Sequence, residues 1–184
     1  MAIKRIFSAG GIVIRPLGYD PVSKFDETGS GKEAEKWEVL VTQHSKHKGW
    51  DFPKGHREIY ESEEQTALRE VEEEAGVKAE IIERVGQTQY FYWETEEPVF
   101  APSTLRLYSG PLASLRATVG KEKVLKTVAY YLMKYVGEGE ATTAFEVSAK
   151  VWLPIDKVEE KLTFKDTKEL WEKAKIKIEA ISDK

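Results

Sequence analysis

The chain of 184 residues contains no cysteine. That excludes a disulfide framework, a thiol nucleophile and a thiolate metal site. Long apolar runs are also missing. The N-terminal stretch MAIKRIFSAGGIVIRP is short and broken by glycine, so it fits neither a signal peptide nor a membrane span. Charge of one sign is scarce in the balance: 28 Lys and Arg face 32 Asp and Glu, for a formal net charge of −4. A general nucleic-acid binder is ordinarily basic, so that class is disfavoured, whereas a local basic patch for a small anion remains compatible. Together these absences lead to the expectation of a cytoplasmic protein without membrane or general nucleic-acid partners. What is present is ordinary for a folded domain: 41% hydrophobic residues and a length suited to one domain with a sizeable core.

Elements alternate along the chain. Phe7 to Ile14 is expected as a strand with a break at Gly10–Gly11, and Trp37 to Thr42 as a second. The spacing predicts a helix over Ser62 to Ala75. Ser62 and Gln65 make a capping-box pattern at its start, and Gly76 stands where a C-terminal glycine cap belongs. Leu68, Val71 and Ala75 recur at helical spacing and are expected in the core. Strand character returns over residues 78 to 93, over Val124 to Tyr135 and over Lys150 to Leu153. A short helix over Val158 to Leu162 and a C-terminal helix over Asp166 to Ile181, opened by an Asp166–Glu169 capping box, complete the reading. Residues 17–36 and 94–122 read as insertions into a single domain spanning 1–184. The fold class is mixed α/β.

Chemistry concentrates on the first helix. Glu70, Glu73 and Glu74 stand at i, i+3 and i+4, which places three carboxylates on one helical face, while Glu72 points elsewhere. Like charges so spaced repel by roughly 0.2–0.5 kcal/mol per pair. A hard divalent cation reverses the sign, and magnesium, which prefers oxygen ligands and retains waters, can also hold substrate phosphates.

The surroundings sharpen this. From Gly55 the chain reads GHREIYESEEQTALREVEEEAGV, which is G-x5-E-x7-R-E-U-x-E-E-x-G-U with U aliphatic, and every fixed position is filled: Gly55, Glu61, Arg69, Glu70, Val71, Glu73, Glu74, Gly76 and Val77. This segment resembles the Nudix hydrolase box, and the likeness extends through WDFPKGH, KTVAYYLMKY and EVSAKVWLP. The resemblance implies a Nudix α/β/α sandwich with a mixed central sheet and a loop–helix–loop metal motif. It implies Mg2+, with Mn2+ as a possible substitute, held by Glu70, Glu73, Glu74 and the backbone carbonyl of Lys54. Arg69 and Glu61 are expected to orient the acids. Gly55 is expected to permit a tight loop through its conformational freedom. A further acid, Glu146, stands six residues before Trp152 and is the favoured ligand outside the box, with Glu138 and Glu140 as rivals.

The implied reaction is attack of a metal-activated water on phosphorus, with Glu70, Glu74 or Glu146 as the general base. The sequence does not choose among those three. The resemblance is strongest to the dinucleoside polyphosphate hydrolase and MutT-like branch, and a dinucleoside polyphosphate such as diadenosine tetraphosphate is the leading expectation. Lys46, Lys54, His56, Lys126, Tyr130 and Phe164 are the expected substrate contacts. The alternatives are a MutT-like nucleoside triphosphate pyrophosphohydrolase, a diphosphoinositol or RNA-end phosphohydrolase and, from another class, a nucleotide-sensing domain without turnover. The expected partner is a small nucleotide, for a monomer or a homodimer.

Overall fold

The computed structural model describes residues 3–19, 37–95, 121–143 and 145–182. Its strands are β1 (Lys4–Pro16), β2 (Trp37–His44), β3 (Trp50–Asp51), β4 (Lys54–His56), β5 (Val77–Thr95), β6 (Lys121–Glu138) and β7 (Val147–Pro154). Its helices are α1 (Glu63–Ala75), α2 (Ile155–Lys161) and α3 (Lys165–Ser182). The strands form one seven-stranded sheet in the order β3-β2-β1-β6-β5, with β4 on β1 and β7 on β2. β1 and β6 run parallel and the other pairs are antiparallel, so the sheet is mixed.

Period-two alternation sorts the strands onto two faces. On β6, Val128, Tyr130 and Leu132 join one core cluster, while Ala129, Tyr131, Met133 and Tyr135 join the other. The first cluster takes Leu170, Trp171, Ala174 and Ile178 from α3 together with Val158 of α2. The second takes Ala67, Val71 and Ala75 from α1, with Leu68 packed at its margin. Each large apolar side chain buried this way contributes roughly 1.5–3 kcal/mol before entropy is counted. The result is the expected α/β/α sandwich, with α1 on one face and α2 and α3 on the other.

Several expectations need correction. Gly10 and Gly11 do not break β1. A Cβ on Gly10 would lie 2.3 Å from the Pro53 carbonyl, and one on Gly11 would lie 2.6 Å from both Met133 and Val71. These glycines serve close packing, not a turn. The Gly11 amide donates to the Pro53 carbonyl at 3.1 Å, fixing the approach to β4. β5, β6 and β7 all run longer than their apolar patterns suggest. Thr95 pairs with Lys121 and Glu94 with Glu122, so the insertion expected at 94–122 is shorter at both borders. Its remainder, and all of the 17–36 insertion beyond Tyr19, lie outside the described residues. α3 starts at Lys165, which places Asp166 inside its first turn instead of at the cap. Among the described residues no helix is long and apolar enough to cross a membrane.

Candidate metal and nucleotide site

The capping box at the start of α1 is formed as its sequence indicates. The Ser62 side chain accepts from the Gln65 amide at 3.1 Å, and the Gln65 side chain accepts from the Ser62 amide at 2.8 Å. The helix ends at Gly76, whose φ of 62° is left-handed and suits glycine, with its amide donating to the Glu72 carbonyl. The turn before β7 is tied to this end. The Thr143 amide donates to the Glu73 carbonyl at 3.1 Å, and Lys150 Nζ donates to the Ala75 carbonyl at 2.7 Å.

Arg69 organises the acidic face. Its Nε and one terminal nitrogen grip Glu61 at 2.7 and 2.9 Å. The other terminal nitrogen donates to Glu70 at 2.8 Å and to Glu73 at 2.9 Å. The His56 carbonyl accepts a further bond at 2.9 Å. This two-pronged grip is the strong form of a charged hydrogen bond. It holds the Glu61 carboxyl down at about 2, with the Arg69 hydrogen bond as the main cause. Glu74 is fixed separately, accepting from the Lys54 amide at 3.0 Å.

Gly55 acts through space rather than through unusual dihedrals. Its φ is not positive. The Glu70 carboxylate rests against its Cα so closely that a Cβ would fall 2.0–2.2 Å from the carboxylate atoms. The Gly55 backbone is thus the wall that seats Glu70.

The electrostatics of this face suit a hard cation. Burial pushes Glu74 up to about 7, partly opposed by the Lys54 charge and amide and reinforced by Glu70 and Glu146. Burial also raises Glu70 against the pull of Arg69, with Glu73 and Glu146 adding to the rise. Buried carboxylates that repel one another are what a divalent ion relieves. Among the described residues no three acidic or histidine side chains already converge as a finished metal cage. Arg69 draws Glu70 and Glu73 to itself instead. Glu146 is exposed, in the turn before β7, yet its charge reaches Glu70 and Glu74.

Bordered by Lys54, whose amide holds Glu74, and by the start of α3 lies a cavity of about 530 Å³. Lys54, Lys126, Tyr130 and Phe164, four of the expected contacts, line it. Tyr130 is only 1% exposed, so it forms the floor and belongs as much to the core as to the cavity. Phe164 is 40% exposed and stands edge-on to His47 at 5.6 Å. Lys46 and His56 are exposed and do not line this cavity; His56 borders a separate groove. The lining also holds Tyr90, Tyr92, Thr88, Asp51 and Thr167, none of them among the expected contacts. Tyr90 pairs directly across from Lys126. The alternating aromatics of YFYW in β5 gave no signal of this by themselves, because their place opposite Lys126 is set by the β5–β6 register.

Two lysines share this space. Burial alone would lower the Lys54 ammonium, but the charges of Asp51 and Glu74 and the bond to Asp51 outweigh it and hold it above its usual value. Lys54 Nζ lies 3.1 Å from Asp51. Lys126 is lowered, first by burial and then by the Lys54 charge. A pair of crowded ammonium groups attracts a phosphate chain.

A sequence model of the NUDIX domain matches residues 28–174. The chain belongs to the NUDIX domain family. It is 31% identical over 125 residues to a Mycobacterium tuberculosis relative named as mutator protein MutT4, covering 68% of this chain and 40% of that protein. It is 48% identical over 61 residues to Nudix hydrolase 4 of Arabidopsis thaliana, covering 33% of this chain and 30% of that protein. The chain therefore spans less than half the length of these curated relatives. The fold is shared with a C. elegans Ap4A hydrolase solved as a binary complex, at a TM-score of 0.55 and 19% identity, covering 95% of this chain and 98% of that one.

Proposed function

We propose that this NUDIX domain hydrolyses a diphosphate linkage in a nucleotide, with a dinucleoside polyphosphate such as diadenosine tetraphosphate as the favoured substrate. One observation carries the reading. The buried Glu70, the half-buried Glu74 and an aromatic, lysine-lined cavity meet at the Lys54–Gly55 segment, where the Lys54 amide holds Glu74 and Lys54 also lines the cavity. A nucleoside fits between Tyr90, Tyr92 and Phe164, and its phosphates run past Lys54 and Lys126 toward the acids.

Glu70, Glu73, Glu74 and Glu146, with the Lys54 carbonyl, would hold Mg2+ or Mn2+. The bound ion would supply an activated water and neutralise charge on the phosphates. Arg69 and Glu61 set the rotamers of Glu70 and Glu73. The proton of the attacking water would pass to a carboxylate beside the ion, Glu70, Glu74 or Glu146. The attacking water forms a new P–O bond as the anhydride P–O bond breaks, and diadenosine tetraphosphate yields ATP and AMP. The cytoplasmic location and the single-domain reading belong to this proposal.

The MutT-like reading is favoured by the name of the mycobacterial relative. A product assay with magnesium on diadenosine tetraphosphate, nucleoside triphosphates, ADP-ribose and a diphosphoinositol separates the two. ATP plus AMP from the first compound supports the proposal. Pyrophosphate from single triphosphates, with diadenosine tetraphosphate untouched, moves the domain to the MutT-like reading. Magnesium-dependent nucleotide binding without any product would make it a sensing domain.

A further inference from the structure

At the other end of β4 from the cavity lies an open groove of about 440 Å³, bordered by Arg5, Phe7, His56, Arg57, Ile59 and Tyr60. β4 is only three residues long. Lys54 at one end belongs to the cavity, Gly55 in the middle seats Glu70, and His56 at the other end belongs to the groove. At about 3.3 Å per residue, Lys54 and His56 stand about 6–7 Å apart, a distance that a short polyphosphate spans. The two spaces also meet through β6, where Lys126 of the cavity is the register partner of Ile6 in the groove.

The turn that forms the groove wall is built and held. Tyr60 has φ 74°, a left-handed conformation disfavoured for any side chain, and is 100% exposed. Ile59 beside it is 80% exposed and Phe7 is 51% exposed. The Glu58 amide donates to the Glu61 carboxylate, and Arg57 Nε donates to the Glu61 carbonyl. Glu61 is in turn gripped by Arg69, the residue that holds Glu70. A solvated turn with no ligand is expected to carry glycine or asparagine at such a φ. Here it displays a tyrosine next to two guanidinium groups, with Glu58 as the opposing carboxylate. Among the described residues neither Arg5 nor Arg57 forms an ion pair with a carboxylate.

We infer that this groove binds the second, leaving half of the substrate: a nucleoside stacked against Phe7 and Tyr60, with its phosphates on Arg5 and Arg57. The inference rests on the dinucleotide reading above. Guanidinium groups match phosphate geometry, and aromatic faces stack on any base. The domain then reads both ends of its substrate, with the acids between them.

The test compares diadenosine tetraphosphate with adenosine tetraphosphate, which lacks the second nucleoside. Tyr60→Gly removes the ring and suits the left-handed backbone, so the fold is retained. In that variant KM for the dinucleotide rises about tenfold and KM for adenosine tetraphosphate changes less than about twofold. Arg5→Ala, on an exposed strand position, raises KM for both. If the native protein cuts the dinucleotide and Tyr60→Gly alters neither substrate, or both equally, the groove assignment fails and the substrate reading stands. If the native protein leaves the dinucleotide uncut, both fail. A native dimer that Tyr60→Gly converts to monomer, measured by ultracentrifugation, assigns the face to a second copy and overturns the inference.

Discussion

The acid face of α1 and the cavity beside it are built by opposite means. The acid face comes from one contiguous segment, Gly55 to Val77, in which helical spacing alone aligns Glu70, Glu73 and Glu74. The cavity draws its walls from β3, β4, β5, β6 and the start of α3, with His47 from the loop before β3. The first is rigidly cross-linked by Arg69. The second is shaped by side chains brought together only when the sheet closes. The lesson is a division of labour: local sequence sets the chemistry, and long-range pairing sets what is recognised. Variants on the acid face should therefore damage turnover, and variants in the cavity should damage affinity.

The largest effect is expected from Glu74→Gln. It removes a ligand charge with little change in shape, so kcat should fall about 10²–10³-fold while the circular dichroism spectrum is unchanged. Gly55→Ala comes next. Its Cβ cannot coexist with the Glu70 carboxylate as placed, and activity should fall about 10–100-fold in steady-state assays with the melting curve still cooperative. Normal activity in that variant would show that Glu70 does not need its seat. Lys126→Ala should act differently, raising KM about tenfold with kcat within about twofold. A fall in kcat alone would break the division.

The smallest effect concerns acid stability. Glu61 is held at about 2 by Arg69 against an ordinary value of 4.5. A depressed carboxyl stabilises the fold fully above 4.5 and loses that contribution as pH falls toward 2. The melting temperature of the native protein should exceed that of Glu61→Gln at pH 5, and the gap should close between pH 4.5 and 2. A gap independent of pH would mean that packing, not charge, is what Glu61 provides.

These regions also differ in how far the sequence discloses them. Ser62, Gln65 and Gly76 announce the ends of α1 because caps are local hydrogen-bond patterns. The role of Gly55 was misread because nothing in the sequence says that a carboxylate fifteen residues later lies on its Cα. Gly10 and Gly11 looked like a break for the same reason: close packing against Pro53, Val71 and Met133 is a tertiary fact. Lys126 and Phe164, expected as contacts by resemblance, do line the cavity. Tyr90 and Tyr92 were not expected there, because only the β5–β6 register sets Tyr90 opposite Lys126 and turns that edge toward the cavity. Strand ends were underestimated where polar residues such as Lys121, Lys123 and Glu138 pair on an edge without an apolar signature.

The most direct test is calorimetric binding of a non-hydrolysable dinucleoside polyphosphate to Glu74→Gln, set beside its turnover of the natural anhydride. The division of labour predicts affinity within about threefold of the native protein, less than about 0.7 kcal/mol, with turnover lost. Lost affinity, or turnover retained at the native rate, would contradict the claim that the acids perform the chemistry while the cavity holds the nucleotide.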